Sequence, residues 1–287
     1  MAILNIVADM HNTESLGKIL KTYDNIVCLG DIGAGIKFSE FIKNVQRYRN
    51  AWKAILKKDD SSIPQSDREW FAKVNIDGWM KQMKSFAKYD KRFILSAGNA
   101  EPFIINSFPE CRQELNKALK NSKLEYIESP EVRIVDKVQL LFLPFSDSEY
   151  DLKQVLGKIS GAPLFVLGHC PPFRESRKKY YMWVFDALKQ ISGAYSGEFH
   201  YLHGHIHPSE SYKYRVEGLE KAVILTPKSH EDHTGISLDH HLMQIDTETG
   251  ALMLFDTVSK KHTDFKDLPE DFRGNEDHWN YTDPSKS

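Results

Sequence analysis

Five short polar clusters in the 287-residue chain carry side chains of types capable of holding metal ions: Asp9-x-His11, Gly30-Asp31, Gly98-Asn99, Gly168-His169 and Gly204-His205-x-His207. A mixture of carboxylate, imidazole and amide donors suits Mn, Fe, Zn, Co or Ni. A pair of such ions needs one carboxylate able to bridge them, flanked by ligands that close each half yet leave room for water and substrate. The chemistry this equips is hydrolysis, because a metal lowers the pKa of bound water from about 15.7 to about 7 and two cations stabilise both the entering and the leaving oxygen. Each cluster alone is weak, since Gly-Asp and Gly-Asn are ordinary turn dipeptides and a single histidine is more often structural. Their ordered recurrence is what carries the signal.

Each cluster follows an apolar run of β type: residues 3–8, 26–29, 93–95, 164–167 and 199–202. Five strand ends therefore deliver the five clusters. In an extended continuation, residues i and i+2 project to one side, which predicts that Asp9 with His11, and His205 with His207, aim at one point. The glycines before Asp31, Asn99, His169 and His205 allow close backbone approach and a sharp turn at the strand end. Two hairpins are readable, 132–135 with 138–143 around Asp136-Lys137, and 242–245 with 252–255 around Thr247-Glu248-Thr249-Gly250, so the sheets should be mixed.

Between Asp31 and Asn99 the period changes. Phe38, Phe41, Ile42, Val45, Tyr48, Trp52, Ile55 and Leu56 recur at three and four residues, the stripe of an amphipathic helix. Ser66-x-x-Glu69 reads as a capping box opening a second helix with Trp70, Phe71, Val74, Trp79, Met83 and Phe86. Together they predict a helical hairpin inserted over about 38–90, its aromatics following the period of a buried stripe. A docking face for a protein partner, or a lid, is the alternative use of that insertion. Residues 174–179 form a basic cluster, read as a solvated helix start, before a helix carrying Tyr181, Val184, Phe185, Leu188 and Ile191. The expected organisation is one domain over 1–258 and a charged tail over 259–287.

Composition narrows the partners. A net charge of -2, with no basic stripe, speaks against nucleic acid as a ligand. No apolar run approaches the roughly 20 residues of a membrane helix, so no membrane partner is expected. Three widely spaced cysteines, Cys28, Cys111 and Cys170, argue against a disulfide framework and suit a reducing compartment, the cytoplasm. Cys170 beside His169 invites a nucleophile reading, but no separate Cys/His pair supports it and packing in the turn before Pro171-Pro172 is expected.

The ordered set resembles the calcineurin-like metallophosphoesterase superfamily, whose pattern runs Asp-x-His, Gly-Asp, Gly-Asn-His-Asp/Glu, His and Gly-His-x-His. The resemblance spans Asp9 to His207. It implies an α/β (α+β) fold in which a two-sheet β sandwich is flanked by helices as αββα layers. It also implies two divalent metal ions, Mn first, with Fe, Zn, Co or Ni also fitting. By motif position, Asp9, His11 and His207 would hold one metal and Asn99, His169 and His205 the other, with Asp31 bridging; Asp31, Asn99 and His169 would bear on catalysis. The activity implied is hydrolysis of a small phosphodiester, phosphomonoester or nucleotide anhydride through attack of a metal-bridging hydroxide.

One motif departs. The third reads Gly98-Asn99-Ala100-Glu101, with Ala100 where the family carries a histidine assigned to protonating the leaving group or contacting the phosphate. A positioned general acid is worth roughly a hundred- to ten-thousand-fold in rate, so good leaving groups should suffer least from its loss. His230, His233, His240 and His241 offer substitutes, though a solvated loop is their plainer reading. Gly30-Asp31 continues Ile32-Gly33-Ala34-Gly35, without the Asp-Arg-Gly of protein Ser/Thr phosphatases, which disfavours a phosphoprotein substrate. The competing readings are a non-catalytic scaffold of the same fold and a nuclease.

Overall fold

Near-continuous apolar runs fold as strands buried on both faces, the mark of parallel sheet covered on each side. In the computed structural model the described residues are 3–10, 13–32, 38–56, 62–174, 176, 178–206, 211–227, 241–256, 259–268 and 270–272, some of them in backbone alone. In the first sheet β1 (Ile3–Val7), β2 (Ile26–Cys28), β3 (Phe93–Ser96) and β4 (Leu124–Ile127) run parallel. The antiparallel strands β11 (His241–Asp246), β12 (Leu252–Asp256) and β13 (His262–Asp264) extend it beyond β1, giving the order β13-β12-β11-β1-β2-β3-β4.

The second sheet has seven strands too. Its parallel centre is β6 (Val138–Leu143), β7 (Leu164–Gly168), β8 (Phe199–Leu202) and β10 (Ala222–Thr226). Strands β5 (Glu131–Val135), β9 (Tyr212–Arg215) and β14 (Glu270–Phe272) complete the order β14-β9-β10-β8-β7-β6-β5. Both expected hairpins are present, turning at Asp136 (φ 51) and Gly250 (φ 73).

Helices α1 (Thr13–Thr22), α2 (Phe38–Leu56), α3 (Gln65–Ala87), α4 (Ala100–Ser107) and α5 (Pro109–Asn121) belong to the first sheet, and α6 (Lys153–Leu156) and α7 (Lys179–Ala194) to the second. Three apolar clusters mark the layers: Val7, Cys28 and Leu95 against Phe71, Trp79 and Leu115 outside the first sheet; Leu4, Val27 and Ile94 against Leu140, Phe165 and Leu202 between the sheets; and Val166 and Tyr201 against Leu188 and Ile191 outside the second. The expected two-sheet sandwich flanked by helices is what the chain adopts.

The aromatics of α3 are core: Phe71, Trp79 and Phe86 are buried, and the Trp79 indole donates to the Cys111 carbonyl at 2.9 Å. The capping box does not form. Pro64 takes the N-cap position with no side-chain cap bond, and Ser66 lies inside the helix with its carbonyl accepting from Arg47 at 3.1 Å. The fixed φ of proline suits a helix entry, and here it displaces the serine from that place. The charged segment after Lys260 supplies an edge strand to each sheet, β13 and β14. Lys213, itself buried, donates from Nζ to the Lys266 carbonyl at 2.9 Å and lies 5.2 Å from the Phe265 ring centre.

Phe265 also packs edge-on against His200 at 4.9 Å, with Phe165 stacked on that imidazole at 5.3 Å. Burial pushes the His200 pKa below its ordinary 6.5, against a smaller opposing pull from Glu198. The folded chain thus prefers the neutral ring, so this contribution to stability is complete above about pH 6.5 and is lost as pH falls. His200→Phe keeps a ring in place without the proton site. Its urea midpoint should decline less between about pH 7 and about pH 5 than that of the parent; parallel declines would show that His200 does not set the acid limit.

Candidate metal centre

In parallel sheet, ligands gather beyond the carboxyl ends of the strands. Here β1, β2 and β3 end at Asp9, Asp31 and Asn99, while β7 and β8 end at His169 and the His203–His205 segment. The two sheets meet at these ends. The Asp9 amide donates to the Gly30 carbonyl at 3.1 Å, the Gly204 amide to the His169 carbonyl at 3.1 Å, and the His205 amide to Asp9 Oδ2 at 2.8 Å, so the fifth cluster is tied directly to the first.

The local backbone explains how side chains on separate sheets come so close. A Cβ on Gly30, which has φ 104, would overlap the Gly98 backbone; one on Gly98 would overlap the Asp31 carboxylate; one on Gly204 would overlap the Asp9 carboxylate. Asp9 (φ 52), Asp31 (φ 53) and His205 (φ 72) all take left-handed conformations, which are costly for residues with a side chain and persist only where surroundings enforce them. This corrects the expected extended continuation. At Asp9 and at His205 the chain flips out of strand geometry, and the Ile206 amide returns to the Gly204 carbonyl at 3.0 Å.

His169 sits at the centre. Its Nδ1 faces the Leu29 carbonyl at 3.0 Å, so that nitrogen carries the hydrogen and donates it. The opposite nitrogen, Nε2, lies 3.0 Å from Asn99 Oδ1, 3.1 Å from His205 Nδ1 and 3.4 Å from Asp31 Oδ2. Asp9, Asp31 and His169, at 1%, 3% and 1% exposure, bring donor atoms within 4.8 Å of one another. Four lone-pair-bearing atoms converging in a buried place need positive charge among them. Without metal, a proton on Nε2 supplies it: burial disfavours the charged imidazole, but the Asp31 carboxylate overrides this and holds the His169 pKa up to about 9. The donor set fits divalent cations, with the orienting bond from Nδ1 to a carbonyl that metal-bound imidazoles commonly make. His11 and His207 lie outside the described residues, as do His230, His233 and His240.

Glu101, at the Asp/Glu position of the third motif but given no role there, organises the floor of the site. Fully buried, it accepts from the amides of Asp31 (3.0 Å), Ile32 (2.8 Å) and Gly98 (2.8 Å), and so clamps the β2 and β3 ends together. Ala100 opens α4 and gives its amide to Asp31 Oδ1 at 2.8 Å. Burial, then repulsion by Asp31, raises the Glu101 pKa to about 7 against the pull of those amides. His203 was likewise given no role. Its Nε2 lies 2.6 Å from the Tyr214 hydroxyl and its Nδ1 2.8 Å from the Gly204 carbonyl, fixing the segment that leads to His205. Cys170 is buried and its thiol pKa is pushed well up by burial, which agrees with packing and disfavours a nucleophile.

No family model and no curated protein matches the chain. Eighteen chains of solved structures match it in shape. They include a novel archaeal phosphodiesterase, 10% identical, covering 89% of this chain and 99% of its own with a TM-score of 0.42. The protein TT1561 of Thermus thermophilus is 11% identical, covering 91% and 96% with a TM-score of 0.43. A conserved protein of Streptococcus pneumoniae described as a predicted phosphoesterase is 13% identical, covering 93% and 96% with a TM-score of 0.35. Two of the three are phosphoesterases by name. At such identities and TM-scores, function has to be argued from the residues themselves.

Removal of the Glu101 carboxylate is the direct probe of the clamp. Glu101→Ala should lower unfolding free energy by about 3 kcal/mol or more, because three buried amides lose their acceptor at roughly 1–3 kcal/mol each. It should weaken divalent-metal binding in the folded fraction as well, since Asp31 loses its support. Denaturant titration and metal titration on one preparation check both; a variant as stable as the parent would refute the clamp.

Proposed function

We propose that this chain is a dinuclear metal-dependent phosphoesterase of the calcineurin-like superfamily, hydrolysing a small phosphodiester, phosphomonoester or nucleotide anhydride. The observation that carries the reading is the convergence on His169 Nε2 of Asn99, Asp31 and His205, with Asp9 beside them, from five strand ends in two sheets. Asp31 lies between the Ala100 amide and the His169 imidazole, the central place a bridging carboxylate needs. Asp9 with His11 and His207 would form one half of the site, and Asn99 with His169 and His205 the other. Bound there, divalent cations supply Lewis acidity to a phosphoryl oxygen and a lowered pKa to water. The protein's part is to hold the donors rigid: each carboxylate is aimed by backbone amides, and His169 is aimed by the Leu29 carbonyl.

Ala100 brings a methyl group, not a proton, to the family's histidine position. Glu101, next along α4, is buried with both oxygens engaged by amides. The leaving oxygen must then depart with little protonation from this side of the site, which favours anhydrides and activated diesters.

The test begins with chain purified without chelator. About two metals per chain are expected, together with hydrolysis of bis-p-nitrophenyl phosphate that chelator removes and Asp31→Asn lowers by about 100-fold or more. Turnover indifferent to that substitution would sink the reading, and metal binding with no turnover on any activated ester would leave a scaffold. A second measurement addresses Ala100. Across a series of aryl and alkyl diesters, kcat/KM should fall steeply as the leaving-group pKa rises, and a flat profile would reveal another acid in the histidine's place.

A further inference from the structure

One flank of the candidate centre is aromatic. Phe145 lies just past β6, its amide donating to the Ala97 carbonyl at 2.7 Å, and its ring centre is 6.5 Å from that of His169. Tyr180, in the first turn of α7, is 6.0 Å from His205. The two rings meet edge to face at 5.5 Å, and both are only half-buried. Tyr181, by contrast, is buried behind them, 5.7 Å from His205 and 4.7 Å from Tyr180. The half-buried Lys178 places its Nζ 3.0 Å from the Tyr181 hydroxyl.

The division of labour within this group is informative. Tyr181 shields the imidazole as core, and its ring belongs to the apolar cluster outside the second sheet. Phe145 and Tyr180 keep exposed surface beside the imidazoles of His169 and His205. Each is anchored through its backbone, Phe145 by its amide and Tyr180 by the helix. An anchored pair of ring surfaces gains most from a flat ring laid against it, through stacking and edge contacts that an alkyl arm does not make.

Resting on the phosphoesterase reading, we infer that Phe145 and Tyr180 form a subsite for a planar aromatic ring carried by the phosphate ester, and so determine which esters the centre accepts. Aryl and nucleobase rings share this chemistry. The full chain loaded with Mn is titrated calorimetrically with methyl phosphate, phenyl phosphate and thymidine 5′-monophosphate. Ring-bearing ligands should bind about 5- to 100-fold more tightly than methyl phosphate. Preference for both rings marks a general subsite, and preference for thymidine alone marks a nucleoside arm. In Tyr180→Ala and Phe145→Leu the ratio of ring-bearing to methyl affinity should collapse to within about twofold, whereas a merely structural role would change all three affinities together and keep the ratio. Equal binding of all three ligands by the parent, or a ratio preserved in both variants, overturns the subsite and leaves the phosphoesterase reading standing. Absence of binding by all three ligands overturns that reading itself.

Discussion

Concentrated negative charge without solvent is the constraint on which this structure turns. Asp9, Asp31 and Glu101 are buried together, and Asp31 sits 3.4 Å from a buried imidazole. Isolated carboxylates do not survive in such a place; they gain partners, protons or metal. Each solution is visible here. Asp9 and Asp31 accept from amides on neighbouring segments, His169 is driven toward its charged form, and Glu101 is pushed toward neutrality while three amides pull it back. The remaining electron-rich atoms point at one another around His169 Nε2, an arrangement that makes sense if cations complete it. The absence of side chains at Gly30, Gly98 and Gly204 and the three left-handed residues follow from the same demand, because the backbone must come close enough to lend its amides.

The helical hairpin answers a second demand, that this strained edge be held still. Gln82 of α3 donates to the Ile32 carbonyl at 2.5 Å, while the Ile32 amide is held by Glu101. Trp52 of α2 packs against Phe103 of α4 with ring centres 3.9 Å apart, and Phe71 closes on the same phenyl at 6.1 Å. The insertion thus grips both sides of the Asp31–Glu101 junction: the peptide after Asp31 and the helix after Asn99. Its aromatics act as a buttress for the site, and this use requires neither a lid motion nor a docked partner.

Much of this was legible in the sequence, for identifiable reasons. Strand ends could be placed because apolar runs stop abruptly at Gly-Asp, Gly-Asn and Gly-His, and the hairpins because Asp136-Lys137 and Gly250 are turn residues. The aromatic stripe of α3 kept its helical period because it is core. What failed were statements about the last bond. Ser66 had the residue type of a cap, but Pro64 occupies the helix entry. Asp9-x-His11 and His205-x-His207 had the spacing of extended pairs, but tertiary bonds to Gly30 and Asp9 hold Asp9 and His205 left-handed, and no local pattern encodes that. Glu101 and His203 carry no periodic signal either; their roles arise only once distant segments meet. Phe145 and Tyr180 lie 35 residues apart and become a pair only through the packing of α7 beside β6 and β7.

Ala100 ties these threads together. The first turn of α4 has two tasks at this edge, holding Asp31 through an amide and anchoring Glu101 beneath the β2 and β3 ends, and both depend on backbone position and on a neighbouring carboxylate, not on the side chain at position 100. Alanine there leaves the scaffold of the centre whole and brings no acid to its rim. Under the proposed phosphoesterase reading, selection of substrate then rests on binding more than on protonation. Esters whose leaving oxygen tolerates departing as an anion remain within reach, and contacts to the rest of the ester gain weight, because binding energy away from the reacting atoms can be spent on positioning them. A chain that lacks the acid has reason to keep exposed, anchored aromatic surface beside its imidazoles.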